Sequence, residues 1–328
     1  MLRWLVLASC LAGAVLLGCE AAEDTLLERA AGRLMADRSD LYGDDALRVL
    51  ICGSASPLPH PERARPCTAI FAGGRLWVVD VGPGSWNRVA GWRIVPDRIG
   101  AVLLTHFHSD HIGELGEWNL QSWVAGRAEP LRVIGPAGVE RVVAGFSEAY
   151  ALDTGYRAAH HGADFVPPAV GRMQAAPIVF AAGAASAVVH DADGLRITAF
   201  LVDHAPIAPA VGYRFDWRGR SAVVSGDTVP SPNLIAVAKD TDVLVHEAQA
   251  NHLVQTLGEL AATRRPRMAK IFADIPSYHT SPVEAARVAN QANARLLVLS
   301  HLTPPPTNAL VERVFLRGVA EERSAGWV

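Results

Sequence analysis

Histidine and aspartate crowd into one short stretch of this chain, Thr105-His106-Phe107-His108-Ser109-Asp110-His111, which reads H-x-H-x-D-H. It follows the apolar run Ala101-Val102-Leu103-Leu104, a strand by its pattern. Imidazoles two residues apart at the extended end of a strand can converge on one cation. Asp110 and His111, where the chain should turn into a helix, can reach a second. Nitrogen and carboxylate donors in this mixture suit Zn(II). Other donors end other short aliphatic runs: His204 after Leu195–Val202, Asp227 after Ala222-Val223-Val224-Ser225-Gly226, and His301 after Leu296–Ser300. One histidine after one strand is usually a hydrogen-bonded structural residue. Several at equivalent strand ends, beside the H-x-H-x-D-H box, point to a metal centre.

Such a centre needs strands and helices that bring distant segments together. The pattern predicts strands at Leu47–Ile51, Thr68–Phe71, Leu76–Val81, Ala101–Leu104, Leu131–Ile134, Ile178–Phe180, Val188–His190, Leu195–Val202, Val211–Phe215, Ala222–Val224, Thr241–Val245 and Arg295–Leu299. Helices are expected at Ile112–Val124, Ala137–Ala151 and, more weakly patterned, Ala309–Ala320. Ser281-Pro282-Val283-Glu284 combines a capping serine, proline at the first helical position and a glutamate three residues on, which starts a helix running to Ala292. Asp193-Gly194 and Trp217-Arg218-Gly219 mark hairpin turns. The chain has 328 residues, 50% hydrophobic and 19% charged, enough for one mixed α/β domain with a large core.

The first residues read as a targeting segment. Arg3 precedes the apolar stretch Trp4 to Leu17, and Leu16-Leu17-Gly18-Cys19 resembles a bacterial lipobox. The organisation is then a lipoprotein-type signal over residues 1–18, a polar tether over 19–45 and one folded domain over 46–328. The protein would be exported to the periplasm and anchored by a lipid on Cys19, its only expected contact with a membrane. Cys52 and Cys67 flank a proline-rich loop. In an oxidising compartment they can pair, closing a loop worth about 3 kcal/mol; the alternative is two buried thiols.

The chain resembles a metallo-β-lactamase-superfamily hydrolase, and within that superfamily is similar to the tRNase Z and arylsulfatase-like branch. The likeness runs from about Leu47 to about His301. It rests on Asp80-Val81-Gly82-Pro83-Gly84, the H-x-H-x-D-H box, Asp203-His204 with Gly212-Tyr213-Arg214, Gly226-Asp227-Thr228, His246-Glu247-Ala248 and His301. It implies an α/β fold, the αββα sandwich, in a single domain. It implies two Zn(II) per chain, one held by His106, His108, His204 and Asp227, the other by Asp110, His111, Asp227 and His301, with Asp227 bridging. Asp80 would orient a ligand imidazole or brace a turn. Asp110 would orient or deprotonate the attacking water, and His246 would protonate the leaving group or, alternatively, brace a ligand. His279 and Thr280, just before the capped helix, could meet an anionic substrate oxygen through backbone N–H groups, or simply form a capping loop.

The substrate is read from what is missing. Only Trp217-Arg218-Gly219-Arg220 joins Phe215 to Ser221, so the long arm expected of a tRNase Z after Gly-Tyr-Arg is absent. Net charge is −3 with a pI of about 6.5 and no basic stripe. Together with export, these features point to a small anionic ester as the partner and to no nucleic acid. The segment Asn119–Arg127 looks like the exported arylsulfatase-like group, so the expected activity is hydrolysis of small sulfate or phosphate esters. The alternatives are a phosphodiesterase or tRNase Z-type endoribonuclease, a lactonase or β-lactamase, and a metal-binding lipoprotein without turnover.

Overall fold

Strand alternation sets the architecture. In the strand Arg75–Val79, Leu76 and Val78 belong to one apolar cluster and Trp77 and Val79 to another, and all four are buried. A strand covered on both faces belongs in the middle of a layered structure. The structure, a computed structural model, describes residues 22–32 and 35–328. The expected signal segment and the Cys19 lipidation site lie outside the described residues.

After an exposed helix over 22–32 (α1) the strands are β1 Arg48–Gly53, β2 Cys67–Ala72, β3 Arg75–Val79, β4 Ile99–Leu103, β5 Leu131–Gly135, β6 Met173–Pro177, β7 Ser186–Ala192, β8 Leu195–His204, β9 Ile207–Trp217, β10 Arg220–Val224, β11 Val243–Gln249 and β12 Leu296–Thr303. The helices that follow α1 are α2 Ser85–Gly91, α3 Ser109–Ile112, α4 Leu115–Val124, α5 Val139–Ala149, α6 Ala151–His161, α7 Pro232–Val237, α8 Asn251–Ala261, α9 Pro266–Asp274, α10 Pro282–Gln291, α11 Ala309–Phe315 and α12 Val319–Glu322. Two six-stranded sheets form, ordered β1-β2-β3-β4-β5-β6 and β12-β11-β10-β9-β8-β7. Each is antiparallel at one end and parallel at the other.

The sheets face each other across Ile70, Trp77, Val79 and Leu103 on one side and Ile197, Tyr213, Phe215 and Val245 on the other. Outside the first sheet, Phe71, Val78, Val102 and Val133 pack with Leu115, Trp118, Val139 and Val143 of α4 and α5. Outside the second, Phe200, Val223, Leu244 and Leu297 pack with Leu234 of α7 and Ala285, Ala286 and Ala289 of α10. This is the αββα sandwich. A bridge between Ala55 and Leu302, with Leu302 N–H donating to Ser54 O at 2.8 Å, ties the loop after β1 to the last strand.

Local signals explain most elements. Arg218-Gly219 and Asp193-Gly194 both have positive φ, the two-residue turn that matches strand twist. The Ser281–Glu284 capping box is complete. Cys52 and Cys67 form a disulfide between β1 and β2. Departures have physical causes. Residues 178–180 form no strand; the edge position beside β5 goes to Met173–Pro177, whose parallel pairing outweighs its poor strand composition. The packed body starts at Ser39 rather than at residue 46, because Leu41 and Tyr42 are buried and the Tyr42 hydroxyl donates to Val95 O at 2.6 Å. In the segment Asn119–Arg127, Arg127 donates to Ser122 Oγ at 2.6 Å and Asn119 Oδ1 at 3.0 Å. Those polar groups close a buried network, so the segment supports the fold and says nothing about sulfate.

Candidate metal centre

Strand ends supply the site, from the parallel strands β3, β4, β10 and β12 and from the antiparallel β8, in the crevice where sheets of this type place ligands. β3 leads into Asp80, β4 leads into His106 and His108, and α3 carries Asp110 and His111. β8 ends at His204, β10 is followed by Asp227, and β12 carries His301. His301 is the extra residue of a bulge: Glu247 pairs with Ser300 and Ala248 with Leu302, and His301 takes φ 46°. The bulge turns its ring out of the sheet toward the cluster, at the cost of a strained backbone. Gly82 lets three segments touch, since a Cβ there would lie 2.1 Å from Asp110 O and 2.5 Å from Arg65 Cβ.

The donors fall into two groups. One atom each from His106, His108, His204 and Asp227 lie within 4.8 Å of one another, as do one each from Asp110, His111 and His301. Asp227 joins the groups, its Oδ2 standing 3.2 Å from His301 Nε2, 3.4 Å from His111 Nε2 and 3.9 Å from His106 and His204 Nε2. Asp110 Oδ2 is 3.4 Å from His301 Nε2 and 3.5 Å from His111 Nε2. Tetrahedral zinc with bonds of about 2.0–2.1 Å separates its ligands by about 3.3 Å. Asp110 Oδ2 and the Nε2 atoms of His111, His204 and His301 are buried without hydrogen-bond partners. Buried polar atoms that converge without partners fit a pair of divalent cations. Two of the far ring nitrogens are held: His111 Nδ1 lies 2.8 Å from Asp80 Oδ2 and His204 Nδ1 2.9 Å from Tyr278 O. That fixes each Nε2 toward the centre.

Electrostatics agree. Burial alone would push His111 down, but Asp227, Asp80 and Asp110 together hold it well above its ordinary value. Burial works to raise Asp227, yet His301, His111 and His106 keep it well below the carboxylate range. Burial brings His204 down to about 4 and His106 well below normal, leaving neutral imidazoles of the kind that bind metal.

Two expected site residues are elsewhere. His246 and Glu247 are neighbours on β11, so they face opposite sides of the sheet. Glu247 takes the site side, and His279 Nδ1 lies 2.7 Å from its Oε1. His246 is fully buried, its Nδ1 is 2.8 Å from Glu247 O, and the charge acting on it is that of Glu284 in the outer helix α10. It cannot reach a leaving group. Thr280 is also fully buried and its hydroxyl donates to Thr228 O, so it braces the loop instead of meeting substrate. His279 does reach the centre: its ring stacks 5.4 Å from His301 and lies 5.2 Å from His204, and it can share a cation with Asp227 and His301. Glu247 was missed by sequence reasoning, although its place beside His246 was in view. Burial, then Asp227, pushes its carboxyl well up.

Comparison with known proteins identifies the family. Residues 78–302 match the β-lactamase superfamily domain. The chain is 38% identical over 261 residues to ribonuclease Z of Mycobacterium marinum, an alignment covering 79% of this chain and 87% of the relative. It is 36% identical to ribonuclease Z of Mycolicibacterium paratuberculosis, covering 79% and 86%. In fold it is similar to the metallo-β-lactamase fold protein YhfI from Bacillus subtilis, with TM-score 0.58, 17% identity and coverage of 86% and 95%. It is also similar to the short form of human tRNase Z, with TM-score 0.57, 20% identity and coverage of 78% and 92%. These relatives overturn two expectations, the preference for small sulfate esters and the exclusion of nucleic acid. A net charge is a sum over the whole surface and hides local cationic patches, and a tight β9–β10 turn does not rule out other means of holding RNA. The chain belongs to the metallo-β-lactamase superfamily of metal-dependent hydrolases, in the branch that holds the ribonuclease Z enzymes.

Proposed function

We propose that this chain is a phosphodiesterase of the ribonuclease Z type that cuts RNA of the tRNA class. The observation that carries the reading is the pair of donor groups joined by Asp227 in a chain 38% identical to ribonuclease Z. In this reading His106, His108 and His204 hold one Zn(II), Asp110, His111 and His301 hold a second, and Asp227 stands between them. Zinc held there supplies positive charge against the phosphoryl oxygens and a water of lowered pKa as nucleophile.

The chain's own side chains supply the rest. Asp110 Oδ2 has no other hydrogen-bond partner and can orient the attacking water. His108 is exposed while His106, His204 and Asp227 are buried, so His108 marks the mouth through which a strand enters. His279 takes the proton-donating role. With Nδ1 engaged by Glu247 at 2.7 Å, Nε2 is the nitrogen left to face the leaving oxygen. Metal-loaded protein incubated with a precursor tRNA transcript should yield a discrete cut, and Asp227→Ala should yield none. Intact RNA alongside steady hydrolysis of bis(4-nitrophenyl) phosphate would overturn the RNA reading.

A further inference from the structure

From the hairpin of α8 and α9 we infer that its tip is an RNA-backbone grip, with Arg264, Arg265 and Arg267 meeting phosphates of the substrate outside the cleavage site. The inference deepens the proposed RNA reading and rests on it. The turn between the helices runs Ala262-Thr263-Arg264-Arg265, and α9 opens Pro266-Arg267, every one of these residues exposed. Several arginines elsewhere on the surface pair with carboxylates, Arg48 with Asp44, Arg196 with Asp191 and Arg295 with Asp242, while others such as Arg75 and Arg141 form no ion pair among the described residues but stand apart from one another in the sequence. None of the three at the tip forms a salt bridge among the described residues, whereas Lys270, one turn further on, is taken by Asp274. In a chain of net charge −3 this is a concentrated, uncompensated cationic patch.

Its position ties it to the site. α8 leaves β11 two residues after Gln249, whose N–H donates to Thr280 O at 2.8 Å. α9 returns to Tyr278, whose carbonyl holds His204, and to His279. Both feet of the hairpin therefore stand on the rim of the metal centre. The helices pack closely on each other, a Cβ at Gly258 of α8 lying 3.3 Å from Phe272 Cβ of α9, which makes the hairpin a stiff arm. Eleven residues at about 1.5 Å each set the tip about 16 Å from the rim. A nucleic-acid duplex carries about one charge per 1.7 Å of axis, so a body whose free strand enters the site offers the tip several phosphates at once. Guanidinium suits them because its planar fork binds phosphate oxygens in pairs. An anionic lipid surface would attract the same charges, but the turn itself offers no large apolar side chain to enter a bilayer.

The test is filter binding of a tRNA transcript to wild type and to the triple variant Arg264→Gln, Arg265→Gln, Arg267→Gln between 50 and 200 mM salt. Each lost phosphate contact should lower the slope of log affinity against log salt by about 0.7–0.9, so the variant should lose about 2–3 units. In RNA cleavage KM should rise about tenfold or more with kcat held, while hydrolysis of bis(4-nitrophenyl) phosphate stays unchanged. Wild-type slope and KM in the variant would overturn the inference, as would arginine-dependent binding to phosphatidylglycerol vesicles with no retention of tRNA. Filter binding needs no turnover, so it reads the tip even if RNA is bound and never cut, a result that would count against the proposed activity alone. Should the triple variant misfold, Arg264→Gln must still flatten the slope by close to one unit, and an unchanged slope refutes the grip.

Discussion

Asp80→Asn should loosen one metal and spare the other. The Asp80 carboxylate accepts three hydrogen bonds at 2.8 Å each, from the Thr105 N–H, the Thr105 hydroxyl and the His111 ring. An amide keeps one acceptor oxygen and puts an NH2 group where the other stood. The Thr105 hydroxyl can rotate to accept from it. His111 has no such freedom: to accept at Nδ1 it must move its proton to Nε2, the atom aimed at Asp110 and Asp227. A protonated Nε2 cannot bind a cation. A hydrogen bond to a charged group is worth about 1.5–3 kcal/mol, which corresponds to a roughly 10–100-fold loss of affinity at the Asp110, His111 and His301 group. The His106, His108 and His204 group should hold its ion within a few-fold. Competition with a chromophoric chelator separates the two binding steps. Thr105→Val is the control, since it removes the hydroxyl and keeps the ring bond. If Asp80→Asn binds both ions as tightly as wild type and loses only melting temperature, Asp80 merely braces its turn and the reasoning is wrong.

His279→Ala should retain both donor groups and lose rate most where the leaving group is basic, so kcat across aryl phosphodiesters should steepen against leaving-group pKa; a slope equal to wild type rules His279 out as the donor. His246 is held down to about 4 from 6.5 by burial, so its share of stability is complete above pH 6.5 and is lost as pH falls toward 4, by about 3 kcal/mol at the floor. Urea unfolding of His246→Leu should be flatter than wild type over that window, and parallel curves would contradict the assignment. Reducing Cys52–Cys67 opens a 15-residue separation and should cost about 3 kcal/mol, a fall of roughly 5–10 °C in Tm; no change after confirmed reduction would refute it.

The H-x-H-x-D-H box was legible because its donors are consecutive and local geometry alone brings them together. His204, Asp227 and His301 were legible as strand ends. The face of β11 was not: a register one residue different would exchange His246 and Glu247, and nothing in Leu244-Val245-His246-Glu247-Ala248 fixes which face the opposite sheet. The bulge that aims His301 is likewise invisible without its partner strand. The α8–α9 hairpin left a signal that went unread, namely Leu253, Val254, Leu257, Ile271 and Phe272 at helical spacing with Pro266 at a first turn. Edge strand β6 could not be placed from composition, because its pairing with β5 is decided at a distance.

The last strand has a consequence during synthesis. His301 and the Leu302 contact with Ala55 arrive after every other donor has been made. At about 5–20 residues per second, the stretch between Asp227 and His301 takes roughly 4–15 s to emerge. Throughout that interval the nascent chain carries all of the His106, His108, His204 and Asp227 group but only Asp110 and His111 of the second. A cation caught early by Asp110 and His111 alone meets an incomplete cup and can leave again. The closing residue and the clasp between first loop and last strand come together, which makes tight loading of the second group a property of the finished chain. A product truncated between Asp227 and β12 would keep the H-x-H-x-D-H box and lack the third donor of the second group.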